Sequence, residues 1–230
     1  MSKSTSNSQY GQDLWVIEQL QGLRNGFFLE MGAGDGIWIS NTLLLEKDYA
    51  WTGILIEPTG AFERLVRNRP NATCLKEYVA NEEKEVTFFE VFDRGQASIN
   101  QAAEGNTLLS GVREDITEAQ GDETNSEWGQ FQQAYKSMAR PLEVLLDENN
   151  APTVIDYFSL DVEGYEYEVL RSFPFHRYSF RLLGIERPSL ELDRLLRQKG
   201  YAKRGDLGED IMYSYSPSML RRVINRLRRG

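Results

Sequence analysis

The 230 residues suffice for one α/β domain with a full core and fall short of two. With 35 acidic against 26 basic side chains the chain carries a formal net charge of -9, which disfavours a phosphate backbone and removes nucleic acid from the expected partners. A single cysteine, Cys74, closes no intrachain disulfide, no apolar run reaches membrane-spanning length, and residues 1–9 are polar without a hydrophobic signal core, so a cytoplasmic location is expected.

Residues 13–20 read as a short helix, closed by a break from Gly22 to Gly26 and followed by a first strand at 27–31. That strand runs into Glu30-Met31-Gly32-Ala33-Gly34-Asp35-Gly36. Three alternating glycines after an apolar strand permit positive φ, so backbone N–H groups and the next helix N-terminus can approach a ligand; the bland alternative is a plain tight turn. A dinucleotide fingerprint would put its third glycine at position 37, where Ile37 stands, which points away from a pyrophosphate. Ser40 can cap a helix with Leu43, Leu44 and Leu45 on its apolar side. A second strand, 53–57, ends in Glu57-Pro58, where α/β nucleoside binders place the carboxylate that holds the ribose hydroxyls; the bland alternative for Glu57 is a solvated strand end.

A helix at 61–69, a strand at 73–79 and a β-rich run at 86–92, able to pair antiparallel with a neighbour, come next. From 93 to 140 the pattern breaks down in a polar, acidic stretch whose 120–127 portion has no periodicity. It reads as a partly helical lid or substrate-side insertion, or else as a surface loop without a role. Order returns with a helix at 142–148, a strand at 154–161, a helix at 166–172, a strand at 181–186, a helix at 190–199 and a last strand at 211–215. This alternation predicts a parallel sheet with helices on both faces. Beyond it, residues 216–230 form a helical pattern with Met219, Leu220, Val223, Ile224 and Leu227 on one stripe and five arginines around it. Such a helix either touches an anionic membrane peripherally or docks its stripe on the domain.

Ligands of open α/β sheets bind beyond the carboxyl ends of the strands, where Glu30, Glu57, Asp161, Glu163 and Glu186 all stand. Glu30 with the Gly-x-Gly-x-Gly loop resembles the first motif of class I S-adenosylmethionine-dependent methyltransferases. Asp161-Val162-Glu163-Gly164-Tyr165-Glu166, Ser40-Asn41-Thr42 with Glu46, the run from Trp51 to Pro58, and Ser8-Gln9-Tyr10-Gly11-Gln12-Asp13 are similar to the FkbM family of those enzymes. The likeness runs in order from about Ser8 to Tyr215 and does not clearly include 93–140.

The resemblance implies a single class I methyltransferase-like α/β domain over 1–215, of Rossmann type, mostly parallel with an antiparallel C-terminal strand. It implies S-adenosylmethionine as cofactor, held by Glu30, Gly32, Ala33, Gly34, Asp35, Gly36, Asn41, Glu57 and Pro58, and methyl transfer to a hydroxyl of a small-molecule or glycan acceptor. Drawing off the hydroxyl proton needs a carboxylate within hydrogen-bond reach, for which Asp161 and Glu163 are the candidates. The same pair with Glu186 could instead hold Mg²⁺; the metal-free version is preferred, since no acidic ligand set of established spacing is visible. The lone histidine, His176, lies in a helix-exit loop among aromatics and reads as a partner to backbone. Two other readings compete: a nucleoside-binding or scaffold protein that kept the fold without catalysis, and a nicotinamide-dependent dehydrogenase, which Ile37 disfavours.

Overall fold

The structure is a computed structural model that describes residues 5–92, 111–112 and 131–216. Its chain begins with α1 (Gln12–Gln19), β1 (Phe27–Met31), α2 (Leu43–Tyr49), β2 (Thr52–Ile56), α3 (Phe62–Asn68), β3 (Thr73–Leu75) and β4 (Tyr78–Ala80). It continues through β5 (Lys84–Phe92), β6 (Gly111–Val112), β7 (Phe131–Pro141), α4 (Leu142–Glu148), β8 (Val154–Leu160), α5 (Glu166–Leu170), β9 (Ser179–Glu186), α6 (Leu190–Gln198), β10 (Tyr201–Leu207) and β11 (Asp210–Tyr215).

A seven-stranded sheet runs in the order β10-β11-β9-β8-β1-β2-β3. The neighbours from β9 to β3 pair in parallel, whereas β11 is antiparallel to both β9 and β10. The fold is therefore the expected mostly parallel Rossmann-type sheet with an antiparallel C-terminal strand. Parallel strands are covered on both faces, which is why β1, β2 and β8 read as nearly unbroken apolar runs. Phe28, Leu55 and Tyr157 face Val16 of α1, Leu45 of α2 and Leu65 of α3. Leu29, Ile54, Phe158 and Leu183 face α4, α5 and α6 through Leu145, Val169 and Leu192. After β1 the chain builds outward on one side, and β8 later joins its other side, so the topological switch lies between β1 and β8, where a crevice opens at the carboxyl ends.

Three local expectations are corrected. The single strand expected at 73–79 breaks at Lys76-Glu77, giving β3 in the main sheet and β4 in a second, four-stranded sheet of order β4-β7-β5-β6. Residues 131–140, expected to be irregular, belong to β7, which pairs antiparallel with β5 from Phe131 to Ala139. With Gln132, Gln133, Lys136 and Ser137 the sequence of β7 carries little β signal of its own, and long-range pairing supplies it. The edge strand β10 was not foreseen, because Lys203, Arg204 and Asp206 make it polar. The lid segment 120–127 and the basic stripe beyond Ser216 lie outside the described residues. Among the described residues no helix is long and apolar enough to cross a membrane.

Candidate active site

A cavity of about 300 Å³ opens at the switch point, and every residue singled out above for the cofactor lines it except Gly36. Gly32 has φ 77°, and a Cβ there would stand 1.9 Å from the Asp161 carbonyl oxygen, so the exits of β1 and β8 touch backbone to backbone. Gly34 has φ 54° and nothing within 4 Å of where a Cβ would be, which leaves its backbone bare toward the cavity. Its N–H donates to Glu57 Oε2 at 2.7 Å, and Thr59 N–H donates to Oε1 at 2.9 Å. Glu57 is only 5% exposed, so it is a fixed wall of the cavity rather than a solvated strand end.

Glu30 and Asp35 shape the loop that follows. Alternation along β1 turns Glu30 to the α1–α3 face, where its carboxylate accepts from Asn41 N–H at 2.9 Å, Ser40 Oγ at 3.1 Å and Thr42 Oγ1. Burial pushes its carboxyl up, while the Arg69 guanidinium and these donors pull it down. Asp35 Oδ1 accepts the N–H groups of Ile37 and Trp38, each at 2.9 Å. Asn41 donates Nδ2 to Ser159 Oγ at 2.8 Å and leaves Oδ1 buried without a partner, an orphaned acceptor beside the cavity.

Arg69 escaped the sequence reading altogether. It is fully buried, with Nε on Glu46 Oε2 at 2.7 Å, Nη1 on the Gly36 carbonyl and Ser40 Oγ, both at 3.1 Å, and Nη2 on Thr42 Oγ1 at 3.1 Å. At the end of a helix an arginine is ordinarily a solvated charge, and nothing local distinguishes this one. Arg69→Met is expected to leave the half-buried Glu46 without its ion-pair partner and buried Glu30 without its compensating charge, and to cost about 3–5 kcal/mol, read as a lowered urea midpoint. An unchanged midpoint would show that the network carries no such weight.

The opposite wall is acidic. Carboxylate oxygens of Asp161, Glu163 and Glu186 all lie within 4.8 Å of one another. Glu163 sits at φ 54°, a strained choice for a side-chain-bearing residue, in a turn whose Val162 and Gly164 N–H groups both donate to Glu166 Oε1, at 3.2 and 3.0 Å. Arg187 spans the cluster, 2.9 Å from Glu186 Oε1 and 3.9 Å from Glu163 Oε2, and pairs with Glu209. Burial, then a hydrogen bond and the charge of Glu186, lift the Asp161 carboxyl well above its ordinary range. Burial and Glu186 push Glu163 up to about 7, against the opposing pull of Arg187. One acid of such a group keeps its proton at neutral pH, which suits proton transfer; three converging carboxylates also suit a divalent cation.

Gln12 and Asp210 were not proposed as site residues. Gln12 Nε2 donates to Asp210 Oδ2 at 2.9 Å, and both line the cavity with Gln9. Asp13 holds the N-terminal segment in place by accepting from Ser6 Oγ at 2.6 Å, Ser8 Oγ at 2.7 Å and Asn7 N–H at 3.1 Å. His176 does not line the cavity.

Residues 30–202 match the model of the methyltransferase FkbM domain. Among solved structures, the precorrin-6y C5,15-methyltransferase of Geobacter metallireducens GS-15 is 9% identical over 94% of this chain and 92% of its own, with a TM-score of 0.45. A human methyltransferase 10 domain containing protein is 12% identical over 93% and 84%, with a TM-score of 0.41. The METTL16 MTase domain is 12% identical over 88% of this chain, with a TM-score of 0.46, and this chain spans 65% of its length. No curated protein matches the chain.

Proposed function

The chain belongs to the methyltransferase FkbM domain family, and on that basis we propose that it moves a methyl group from S-adenosylmethionine to a hydroxyl of a glycan or secreted natural product. The observation that carries this reading is the meeting, in one cavity, of the open glycine cradle and the Asp161-Glu163-Glu186 cluster.

The residues present suit the cofactor. Gly34 offers a cradle that any Cβ would fill, Glu57 stands fixed where ribose hydroxyls need acceptors, and Asn41 Oδ1 is an acceptor awaiting a donor such as an ammonium. Acidic walls favour a ligand that is cationic at sulfur and nitrogen. S-Adenosylmethionine supplies a methyl group already activated by its sulfonium. What remains for the chain is to hold the acceptor oxygen in line and to take its proton. Glu163, with a carboxyl near neutrality, accepts the hydroxyl proton, while Asp161 and Glu186 accept hydrogen bonds from the acceptor and orient it.

A second reading of the same cluster has the three carboxylates hold a divalent cation that acidifies the hydroxyl, favoured by their 4.8 Å spread. Calorimetric titration with S-adenosylmethionine, S-adenosylhomocysteine and NAD tests the cofactor: tight binding of the first two without NAD is expected, and the reverse order would sink the proposal. Turnover is expected to rise with pH through about 7 and to survive a chelator, since the base works only when ionised. Loss of turnover with the chelator would turn the base into a metal ligand, and cofactor binding without any transfer would favour an inactive scaffold.

A further inference from the structure

Resting on the transfer to a hydroxyl argued above, we propose that Trp38 is the platform on which the acceptor lies and that the acceptor is an uncharged pyranose, not a phosphorylated sugar. A lone exposed apolar side chain on a convex surface needs no explanation. Trp38 is different: 51% exposed, it lines the same cavity as the carboxylate cluster. Its loop is held on both sides, by Asp35 Oδ1 on the N–H groups of Ile37 and Trp38 and by Glu30 on Asn41 N–H. Ile39 between them adopts φ 51°, a left-handed conformation that an isoleucine takes only when its surroundings impose it. The chain thus fixes an indole in the open at the edge of a cavity.

An indole and convergent carboxylates lining one cavity present two kinds of chemistry at once. The flat ring takes the apolar C–H face of a pyranose, and Asp161, Glu163 and Glu186 accept hydrogen bonds from its hydroxyls. A flat phenolic acceptor would stack as well but offers one hydroxyl to three acids. Charge decides against phosphate. Among the described residues the basic side chains lining the cavity are Arg64 and Arg187, outnumbered severalfold by acids, and Arg187 is already paired with Glu163, Glu186 and Glu209. A phosphate brought there would leave water to meet like charge.

The test is saturation-transfer NMR on the full chain saturated with S-adenosylhomocysteine. Its probes are the methyl glycosides of glucose, galactose, mannose, xylose, fucose and rhamnose, then glucose 1-phosphate, UDP-glucose and p-cresol. At least one methyl glycoside is expected to bind, with strongest saturation at ring C–H protons and at least about tenfold tighter than either phosphorylated sugar. Trp38→Ala is expected to weaken that glycoside at least about tenfold, with Trp38→Phe recovering part of the loss and S-adenosylhomocysteine affinity within about twofold of the unmutated chain. Binding of no glycoside, tighter binding of a phosphorylated sugar, p-cresol alone, or equal glycoside affinity in Trp38→Ala overturns the proposal. A matching loss of S-adenosylhomocysteine affinity in Trp38→Ala also overturns it, by assigning the indole to the cofactor. If the unmutated chain binds no S-adenosylhomocysteine, the methyl-transfer reading falls by itself, and the glycoside titration without it still decides the role of Trp38.

Discussion

Glu163→Gln is expected to lower turnover by about a hundredfold or more while leaving cofactor affinity nearly unchanged and raising thermal stability at pH 8. The first effect follows from removing the proton acceptor with its shape kept. The rise in stability follows from the environment of the carboxylate. Burial and the neighbouring Glu186 lift Glu163 from an ordinary 4.5 to about 7, so the folded chain favours its protonated form. A folded value above the unfolded one stabilises the protein fully below about pH 4.5, and that contribution is lost as pH rises through about 7. At pH 8 the native state therefore carries an ionised, crowded carboxylate on a strained backbone at φ 54°, which glutamine relieves in charge though not in backbone. The same window in which stability falls is the one in which the base becomes competent, so stability and activity should move in opposite directions with pH. Thermal melts of both proteins at pH 5 and 8, beside turnover of the first acceptor identified, check this. Near-normal turnover in Glu163→Gln, or a melting temperature at pH 8 no higher than that of the unmutated chain, would place the base elsewhere, with Asp161→Asn the next variant to read.

What the sequence made legible were features that local chemistry dictates. Strands buried on both faces must be apolar throughout, which exposed β1, β2, β8 and β9; a turn that brings backbone to a ligand must be glycine, which exposed Gly32 and Gly34. Ser40 was legible as a cap, and its Oγ does accept from Leu43 N–H at 3.2 Å, although Thr42 occupies the N-cap position of α2. The features missed depend on partners far along the chain. Gln12 meets Asp210 across 198 residues, Arg69 joins Glu46 and the carbonyl of Gly36 from another helix, and β7 is a strand because β5 lies beside it. Each of these side chains is polar, and the ordinary place of a polar side chain is in water. Only a partner brought near by the fold makes its burial tolerable, and that partner leaves no local mark.

Gly34→Val is expected to abolish cofactor binding in a protein that still folds, whereas Gly32→Ala is expected to destroy the fold. The two glycines are two residues apart, and both have positive φ, 77° at Gly32 and 54° at Gly34, yet their surroundings differ. A Cβ at Gly32 would stand 1.9 Å from the Asp161 carbonyl oxygen, and neither partner is a flexible side chain that could swing away. The exits of β1 and β8 would have to part, and with them the Asp161 N–H bond to the Met31 carbonyl at 3.2 Å. At Gly34 nothing beyond its chain neighbours lies within 4 Å of an added Cβ, so the first added carbon meets no clash and the cost is chiefly conformational, about 1–3 kcal/mol for a branched residue held in the left-handed region. Its side chain then fills the space that bare backbone leaves to the ligand, beside the 2.7 Å bond from its N–H to Glu57. Far-UV melting of both variants with calorimetric titration of S-adenosylhomocysteine separates the cases: a cooperative melt with no heat of binding for Gly34→Val, and no cooperative melt for Gly32→Ala. A folded Gly34→Val protein with undiminished affinity would remove the glycine loop from the cofactor site, because no ligand that packs on that backbone could tolerate an added isopropyl group.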